Sequence, residues 1–116
     1  MSHWAASLVT VRRGEVWWVS LDPTCGSEIR KTRPAVVLTA DALNRARRTA
    51  VVVPLSSGPT PRPPIVAATP SAGEGSVAVC DQVRVIDKGR LTRLSGQLAP
   101  ADLRAVEDAV RAVLEL

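Results

Sequence analysis

The sequence contains no Phe, no Tyr and only three Trp among its 116 residues. RNA-recognition sheets stack bases on exposed Phe and Tyr, so that class of domain is excluded. The longest apolar run covers residues 50–55 and contains Pro54, far short of the roughly 18 residues that a membrane span needs. Residues 1–10 have no cationic start of the kind that a secretory signal carries. We therefore expect a cytoplasmic protein with no membrane contact.

Metal-ligating side chains are scarce as well. The chain has two cysteines, Cys25 and Cys80, outside any C-x-x-C spacing, and one histidine, His3. A zinc or iron–sulfur site therefore lacks ligands, and a Ser-His-Asp triad lacks its histidine unless the N-terminal tail folds over a site. We expect no metal and no cofactor. The two cysteines are either free buried thiols or a disulfide, and a reducing compartment favours free thiols.

Positive charge is in excess and is carried almost entirely by arginine. Lys and Arg total 15 against 11 Asp and Glu, and 13 of the 15 are Arg. Arginine grips phosphate with two parallel hydrogen bonds, which favours a nucleic-acid partner, although a GC-rich genome enriches arginine too. Residues 1–69 hold nine basic and four acidic residues, whereas residues 70–116 hold six and seven. The positive field therefore belongs to the first part of the chain.

Short β-branched segments separated by Gly and Pro make up most of the chain, which predicts about six strands. They are expected near residues 15–21, 33–39, 50–55, 65–68, 76–79 and 82–86. Pro54 places the third of these at a sheet edge or a bulge. Residues 87–90 predict a tight turn with Gly89 in the left-handed conformation.

One amphipathic helix is predicted over residues 100–114, opened by a proline in its first turn. Its apolar stripe comprises Leu103, Val106, Val110, Val113 and Leu114. A helix with a single stripe packs on a sheet. The expected fold is therefore mainly β, a small half-open barrel closed by a C-terminal helix. Residues 1–11 are expected to be a flexible extension and residues 12–116 the domain.

Two strand ends bring a cation and a hydroxyl together. If residues 33–39 pair antiparallel with residues 50–56, the symmetric register sets Arg33 opposite Ser56. A slip of one residue would put them on different faces. Residues 80–84 add a carboxylate (Asp81), an amide and a second guanidinium where an apolar pattern stops.

Each of these residues also has an ordinary explanation. Arg33 could form a surface ion pair with Glu28, Ser56 could be a turn hydroxyl and Asp81 could cap a bulge. The catalytic alternative is that the group cuts RNA. RNA supplies its own nucleophile, the 2′-OH, so the enzyme needs only a proton acceptor, charge stabilisation at the phosphate and a proton for the leaving 5′-oxygen. A carboxylate, one or two Arg and a hydroxyl meet those needs without a metal.

An ordered set of motifs resembles the MazF/PemK family, the Kid-type toxins, from about residue 12 to residue 115. The motifs are residues 14–24 (GEVWWVSLDPT), 26–28 (GSE), 32–38 (TRPAVVL), Asn44, 53–57 (VPLSS) and 80–87 (CDQVRVID).

The resemblance implies a CcdB/PemK-like SH3-type barrel that forms a homodimer. It also implies a type II toxin, a metal-independent, sequence-specific endoribonuclease that cuts single-stranded RNA to leave 2′,3′-cyclic phosphate and 5′-OH ends. The implied partner is a MazE-like antitoxin whose acidic tail covers the RNA groove, with DNA reached only through that antitoxin.

By the same resemblance, Arg33 matches the principal catalytic Arg, Ser56 stands where the family usually has Thr, and Asp81 matches the general base proposed in Kid-type members. The residues expected to bind RNA are Glu28, Arg30, Lys31, Ser57, Gln82 and Arg84.

The chain departs from Kid-type members at Val79, where they have Arg, and at Ser27, where they have His. The pair of Arg33 and Ser56 must then carry more of the chemistry. Two alternatives stay open: a CcdB-like toxin that binds DNA gyrase and cuts nothing, and a catalytically degenerate barrel that only binds its antitoxin and operator.

Overall fold

Antiparallel strands make up most of the structure, which is a computed structural model that describes residues 10–20, 32–57 and 65–116. The strands are β1 (Glu15–Ser20), β2 (Thr32–Val37), β3 (Thr49–Ser56), β4 (Val66–Ala68), β5 (Val77–Val79), β6 (Arg84–Asp87) and β7 (Leu91–Gln97). Two α-helices, α1 (Asp41–Ala46) and α2 (Pro100–Leu114), accompany 3₁₀ turns at Pro70–Ala72, Cys80–Gln82 and Lys88–Arg90. The predicted class, mainly β with a C-terminal helix, is confirmed. Neither of these α-helices is long and apolar enough to cross a membrane.

The longest strand, β3, lies at the centre of the sheet. Along the path β4-β5-β3-β2-β1-β7 each strand pairs with the next, and β6 also pairs with β3. One side of β3 contacts β2, while the other side contacts β6 through residues 49–52 and β5 through residues 55–56. Because β3 changes partner along its length, its last residues belong to a different part of the barrel from its first.

Pro54 lies at this change of partner. It sits between Val52, the last residue of β3 that pairs with β6, and Leu55, the first that pairs with β5. Of the two positions expected for Pro54, a sheet edge or a bulge, the edge is wrong, since β3 is central. Proline has no backbone N–H, and Pro54 lies between the residues that pair with β6 and those that pair with β5. Neither the β3–β6 nor the β3–β5 pairing therefore loses a hydrogen bond.

Side chains alternate between two buried clusters on opposite faces of the sheet. On β1, Val16 belongs to one cluster and Trp17 and Val19 to the other, as the two-residue period of a strand requires. Val11 is 4% exposed and joins the second cluster, so the packed region reaches into the last residue of the expected extension. Residues 1–9 lie outside the described part of the chain.

Helix α2 covers the first cluster and has the bounds that the sequence predicts. Val106 is fully buried, and Leu103, Val110 and Val113 pack partly buried against the cluster, so most of the predicted stripe is confirmed. Leu114, its last member, is 50% exposed. The helix therefore closes one face of the barrel through its middle turns.

Helix α1 connects the end of β2 to the start of β3 and is anchored by a buried polar group. Asn44 is 1% exposed, and its side-chain Nδ2 donates to the carbonyl oxygen of Thr39 at 2.8 Å. The buried ammonium of Lys88 donates to the backbone oxygen of Asn44. Both contacts satisfy polar groups that burial would otherwise leave unpaired.

Two features of the C-terminal half differ from the prediction. Strand β7 was not predicted, and it pairs with β1 across two register irregularities while only Leu91 of its residues is buried. The left-handed conformation predicted for Gly89 is wrong: among the described glycines, those with positive φ are Gly14, Gly73 and Gly75. The segment is instead a 3₁₀ turn in which the carboxylate of Asp87 accepts the Gly89 N–H at 2.7 Å.

Candidate active site

A cleft of about 580 Å³ opens where β2 begins and β3 ends. Its walls come from β1, β2, β3, the segment between β4 and β5, and β7. The lining residues are Val16, Trp18, Thr32, Arg33, Pro34, Leu55, Ser56, Ser57, Ala72, Gly73, Glu74, Ser76 and Ser95. Most of the polar lining groups are hydroxyls, with one guanidinium and one carboxylate among them, so the described part of the cleft suits a polar ligand.

The register of β2 and β3 brings the two principal site residues to this cleft. Ala35 pairs with Pro54, Val36 with Val53 and Val37 with Val52, which is the register that the sequence predicts. Continued by two residues, the same register sets Arg33 across from Ser56. Both residues line the cleft. The cation and the hydroxyl therefore line one cleft of a single chain.

Local sequence explains how Arg33 reaches the cleft. Pro34 disfavours helical backbone at the residue before it, so Arg33 is extended and continues β2. On the other edge of β2, Arg33 pairs with Val19 and Pro34 with Trp18, which fixes the strand from both sides. The Arg33 side chain is exposed and Ser56 is half-buried. The guanidinium therefore offers its fixed fork of donors to a ligand.

Trp18 forms part of the cleft wall. It is half-buried and lies on the face of β1 opposite the buried Trp17. The guanidinium of Arg93 on β7 sits 5.6 Å from the centroid of the Trp18 ring, within the range of a cation–π contact. This contact holds a second positive charge on a strand that contributes Ser95 to the cleft.

The structure does not bring the predicted carboxylate into this cleft. Ser56 pairs with Val77 at the start of β5, whereas Asp81 follows the other end of β5, in the 3₁₀ turn Cys80–Gln82. Asp81 and Gln82 are exposed, and neither lines the cleft. The general-base role of Asp81 stays a prediction.

The other expected RNA-binding residues have different positions. Ser57 lines the cleft beside Ser56. Arg84 is exposed at the start of β6, paired with Val52 of β3, and does not line the cleft. Glu28, Arg30 and Lys31 lie outside the described residues, as do Cys25 and Ser27, so the predictions made for them stay predictions.

Cys80, which adjoins Asp81, is a free thiol with no exposed surface. Burial raises its pKa to about 11, and the nearby charge of Asp81 adds to the shift. A thiol with such a pKa is protonated at neutral pH and is a poor nucleophile. Cys80 therefore serves as a small buried hydrophobe beneath the turn that carries Asp81.

Four polar residues of the cleft were missed at the sequence level: Thr32, Glu74, Ser76 and Ser95. Thr32 adjoins Arg33, so its strand position could have revealed it. Glu74 is the only charged residue of a Pro- and Gly-rich loop, but the sequence does not show that this loop lines the cleft. Ser95 lies on β7, which was not predicted. Within residues 10–20, 32–57 and 65–116, no cluster of three or more His, Cys, Asp and Glu is placed to hold a metal ion.

Comparison of the sequence with known proteins gives consistent matches. A family model described as a PemK-like, MazF-like toxin of type II toxin–antitoxin systems matches residues 12–114. Endoribonuclease MazF9 of Mycobacterium tuberculosis is 34% identical over 115 residues, covering 91% of this chain and 98% of that protein. Endoribonuclease PemK of Escherichia coli is 44% identical over 81 residues, covering 66% of this chain but only 61% of PemK.

Solved structures share the fold. MazF from Deinococcus radiodurans superposes with a TM-score of 0.77 at 23% identity, covering 92% of this chain and 98% of that one. A mycobacterial endoribonuclease in complex with its cognate antitoxin gives a TM-score of 0.76 at 24% identity, covering 91% and 96%. At these identities the solved structures support the fold alone, whereas the match of the family model to residues 12–114 shows the family. The chain belongs to the PemK-like, MazF-like toxin family of type II toxin–antitoxin systems.

Proposed function

We propose that this chain is the toxin of a type II toxin–antitoxin pair and acts as a metal-independent endoribonuclease on single-stranded RNA. The observation that carries the proposal is that Arg33 and Ser56 line one cleft, at the ends of two strands whose register, continued by two residues, sets them across from each other. The endoribonuclease names of MazF9 and PemK support the same activity.

In the proposed reaction the ribose 2′-oxygen attacks the adjacent phosphorus. The 2′-OH gives its proton to a general base, a new O–P bond closes the 2′,3′-cyclic phosphate, and the P–O5′ bond breaks. A proton delivered to the leaving oxygen yields the 5′-OH end. The chain's own groups therefore have to accept one proton, supply another and offset the charge that develops on the phosphate.

Arg33 is assigned to charge stabilisation. Its guanidinium presents paired donors that match two phosphate oxygens. Arg33 is also the proposed source of the proton for the leaving oxygen. The Ser56 hydroxyl is assigned to hold a non-bridging oxygen. Asp81 is the proposed base, and it lies in the turn after β5, outside the described lining of the cleft.

The proposed partners follow from the family. We expect a MazE-like antitoxin to bind the toxin, to cover the RNA groove with an acidic tail and to provide the only link to DNA. The mycobacterial relative whose structure contains a cognate antitoxin supports this expectation. A homodimer and a cytoplasmic location are part of the same proposal.

The test is cleavage of single-stranded RNA by the purified protein in EDTA, with the new ends identified. We expect 2′,3′-cyclic phosphate and 5′-OH ends and no inhibition of DNA gyrase. Intact RNA together with gyrase inhibition would indicate the CcdB-like alternative instead. Intact RNA with antitoxin binding alone would indicate a degenerate regulatory barrel. The endoribonuclease names of the relatives make both alternatives less favoured.

A further inference from the structure

Glu74 is the one carboxylate among the described residues that line the cleft. RNA brings negative phosphates to this surface, and a carboxylate repels them unless it contacts another part of the ligand. Glu74 is exposed and could point to solvent at little cost, yet it lies on the same cleft wall as Ser76. Its presence there needs a chemical explanation.

The backbone around Glu74 is shaped to present it. Gly73 and Gly75 flank it with φ of 141° and 78°, in the region that favours glycine. The base of the loop is closed by Thr69, whose N–H donates to the Ser76 carbonyl oxygen at 2.9 Å. The Thr69 and Ser76 hydroxyls also lie 3.0 Å apart. Glu74 therefore sits at the tip of a turn with a closed base.

The same segment is tied to α2. The carboxylate of Asp102 in the first turn of α2 accepts the Ser71 N–H at 2.8 Å, and the Ser71 hydroxyl accepts the Ala99 N–H at 2.9 Å. These two contacts link the 3₁₀ turn before Glu74 to the helix that covers the core. The carboxylate is thus presented from a braced position, which recognition of one nucleotide requires.

Glu74 and Arg33 line different walls of the cleft and, although both are described, form no ion pair with each other. Two opposite charges that face one cavity without neutralising each other can hold a ligand with two kinds of group. In a nucleotide these are the anionic phosphate, which suits Arg33, and the neutral base, which suits a carboxylate only where it donates hydrogen bonds.

The base with the best match is guanine. A carboxylate accepts and never donates, and the pairing edge of guanine carries two adjacent donors, N1–H and N2–H. Adenine and cytosine offer one amine beside an acceptor nitrogen, and uracil offers one N–H between two carbonyl oxygens. In single-stranded RNA this edge is open to the protein. We propose that Glu74 reads an unpaired guanine next to the scissile phosphate, an inference that rests on the proposed endoribonuclease function.

The test is competition within one reaction. An RNA library with eight randomised positions is cut in EDTA by the wild-type protein and by the Glu74→Gln, Glu74→Ala and Glu115→Gln variants, and the new ends are sequenced. Glu115→Gln is the matched control, because Glu115 is exposed at the end of α2 and lies outside the cleft. Preference is read as a ratio between sequences, so a smaller folded fraction of a variant does not affect it.

We expect wild type and Glu115→Gln to favour guanine at one position beside the cut. A side-chain amide in place of the carboxylate can accept from adenine N6 and donate to N1, so Glu74→Gln should shift the preference from guanine to adenine by at least about fivefold. Glu74→Ala should lose the guanine preference without gaining adenine. The inference is overturned if both Glu74 variants keep the wild-type preference, or if both lose all cleavage. Neither result affects the proposed endoribonuclease function, which rests on cleavage by the wild-type protein. A wild-type protein that cuts no RNA overturns both proposals.

Discussion

Removing the two groups that meet in the cleft, singly and together, gives the sharpest prediction about catalysis. Arg33 and Ser56 line the same cleft, and the register of β2 and β3, continued by two residues, sets them across from each other, so we assign both to one phosphate. Arg33→Ala removes a charged donor from the transition state and should lower kcat/KM by about 10²- to 10³-fold. Ser56→Ala removes a single hydroxyl bond to a charged group and should lower it by about tenfold or somewhat more.

The double variant is the informative one. Because both groups are assigned to the same phosphate, loss of the first leaves the second poorly aligned, and the two effects should not multiply. We expect the double variant to cut RNA about as slowly as Arg33→Ala, without the further loss of about tenfold that Ser56→Ala causes alone. Arg33→Lys keeps the charge but loses the planar fork and should fall between wild type and Arg33→Ala.

The assay is single-turnover cleavage of a short fluorescent RNA, with circular dichroism and thermal unfolding measured for each variant. Arg33 is exposed, so Arg33→Ala should leave the unfolding transition unchanged. Arg104→Ala, an exposed arginine of α2 outside the cleft, is the matched control and should retain full activity. Losses that multiply completely in the double variant would show that the two residues act independently, contrary to a shared phosphate contact.

Three further predictions concern other residues. Asp81→Asn should slow cleavage and remove the acidic limb of the pH–rate profile, and an unaltered profile would assign Asp81 a structural role. In a Cys25→Ser background, Cys80 should resist alkylation at pH 8 until the protein is unfolded, and rapid labelling of the folded protein would contradict its burial. Because the pKa of Cys80 is raised from 9.0 to about 11 in the folded protein, the free energy of unfolding should fall as the pH rises from 9 towards 11. Asn44→Ala should lower the free energy of unfolding by about 1–2 kcal/mol, because it leaves the Thr39 carbonyl oxygen unpaired. The loss is partly offset because the substitution also removes a buried Oδ1 that has no partner among the described residues. An unchanged urea midpoint would contradict this prediction.

Features set by local patterning were predicted well. Helix α2 has a complete amphipathic stripe and a proline in its first turn, so its bounds follow from residues 100–114 alone. The register of β2 and β3 was predicted because residues 40–49 connect two adjacent strands symmetrically. A one-residue slip would have put Val36 and Val53, which belong to one buried cluster, on opposite faces of the sheet.

Features set by distant contacts were not predicted. Strand β7 exists because β1 offers a free edge, and with only Leu91 buried it carries no alternation that a pattern could detect. Asp81 was expected beside Arg33 because the sequence does not reveal that β3 exchanges β6 for β5 near Pro54. Glu74 was missed because only the packing of the loop before β5 shows that it lines the cleft.

The most direct test of RNA self-attack in this cleft uses one substrate in two forms. A single-stranded RNA that the protein cuts is compared in EDTA with the same RNA carrying one 2′-deoxynucleotide immediately 5′ to the scissile phosphate. We predict that the all-ribose RNA is cut to 2′,3′-cyclic phosphate and 5′-OH ends and that the substituted RNA stays intact at that bond. Cleavage of both at the same bond, or products with 5′-phosphate ends, would contradict attack by the 2′-OH.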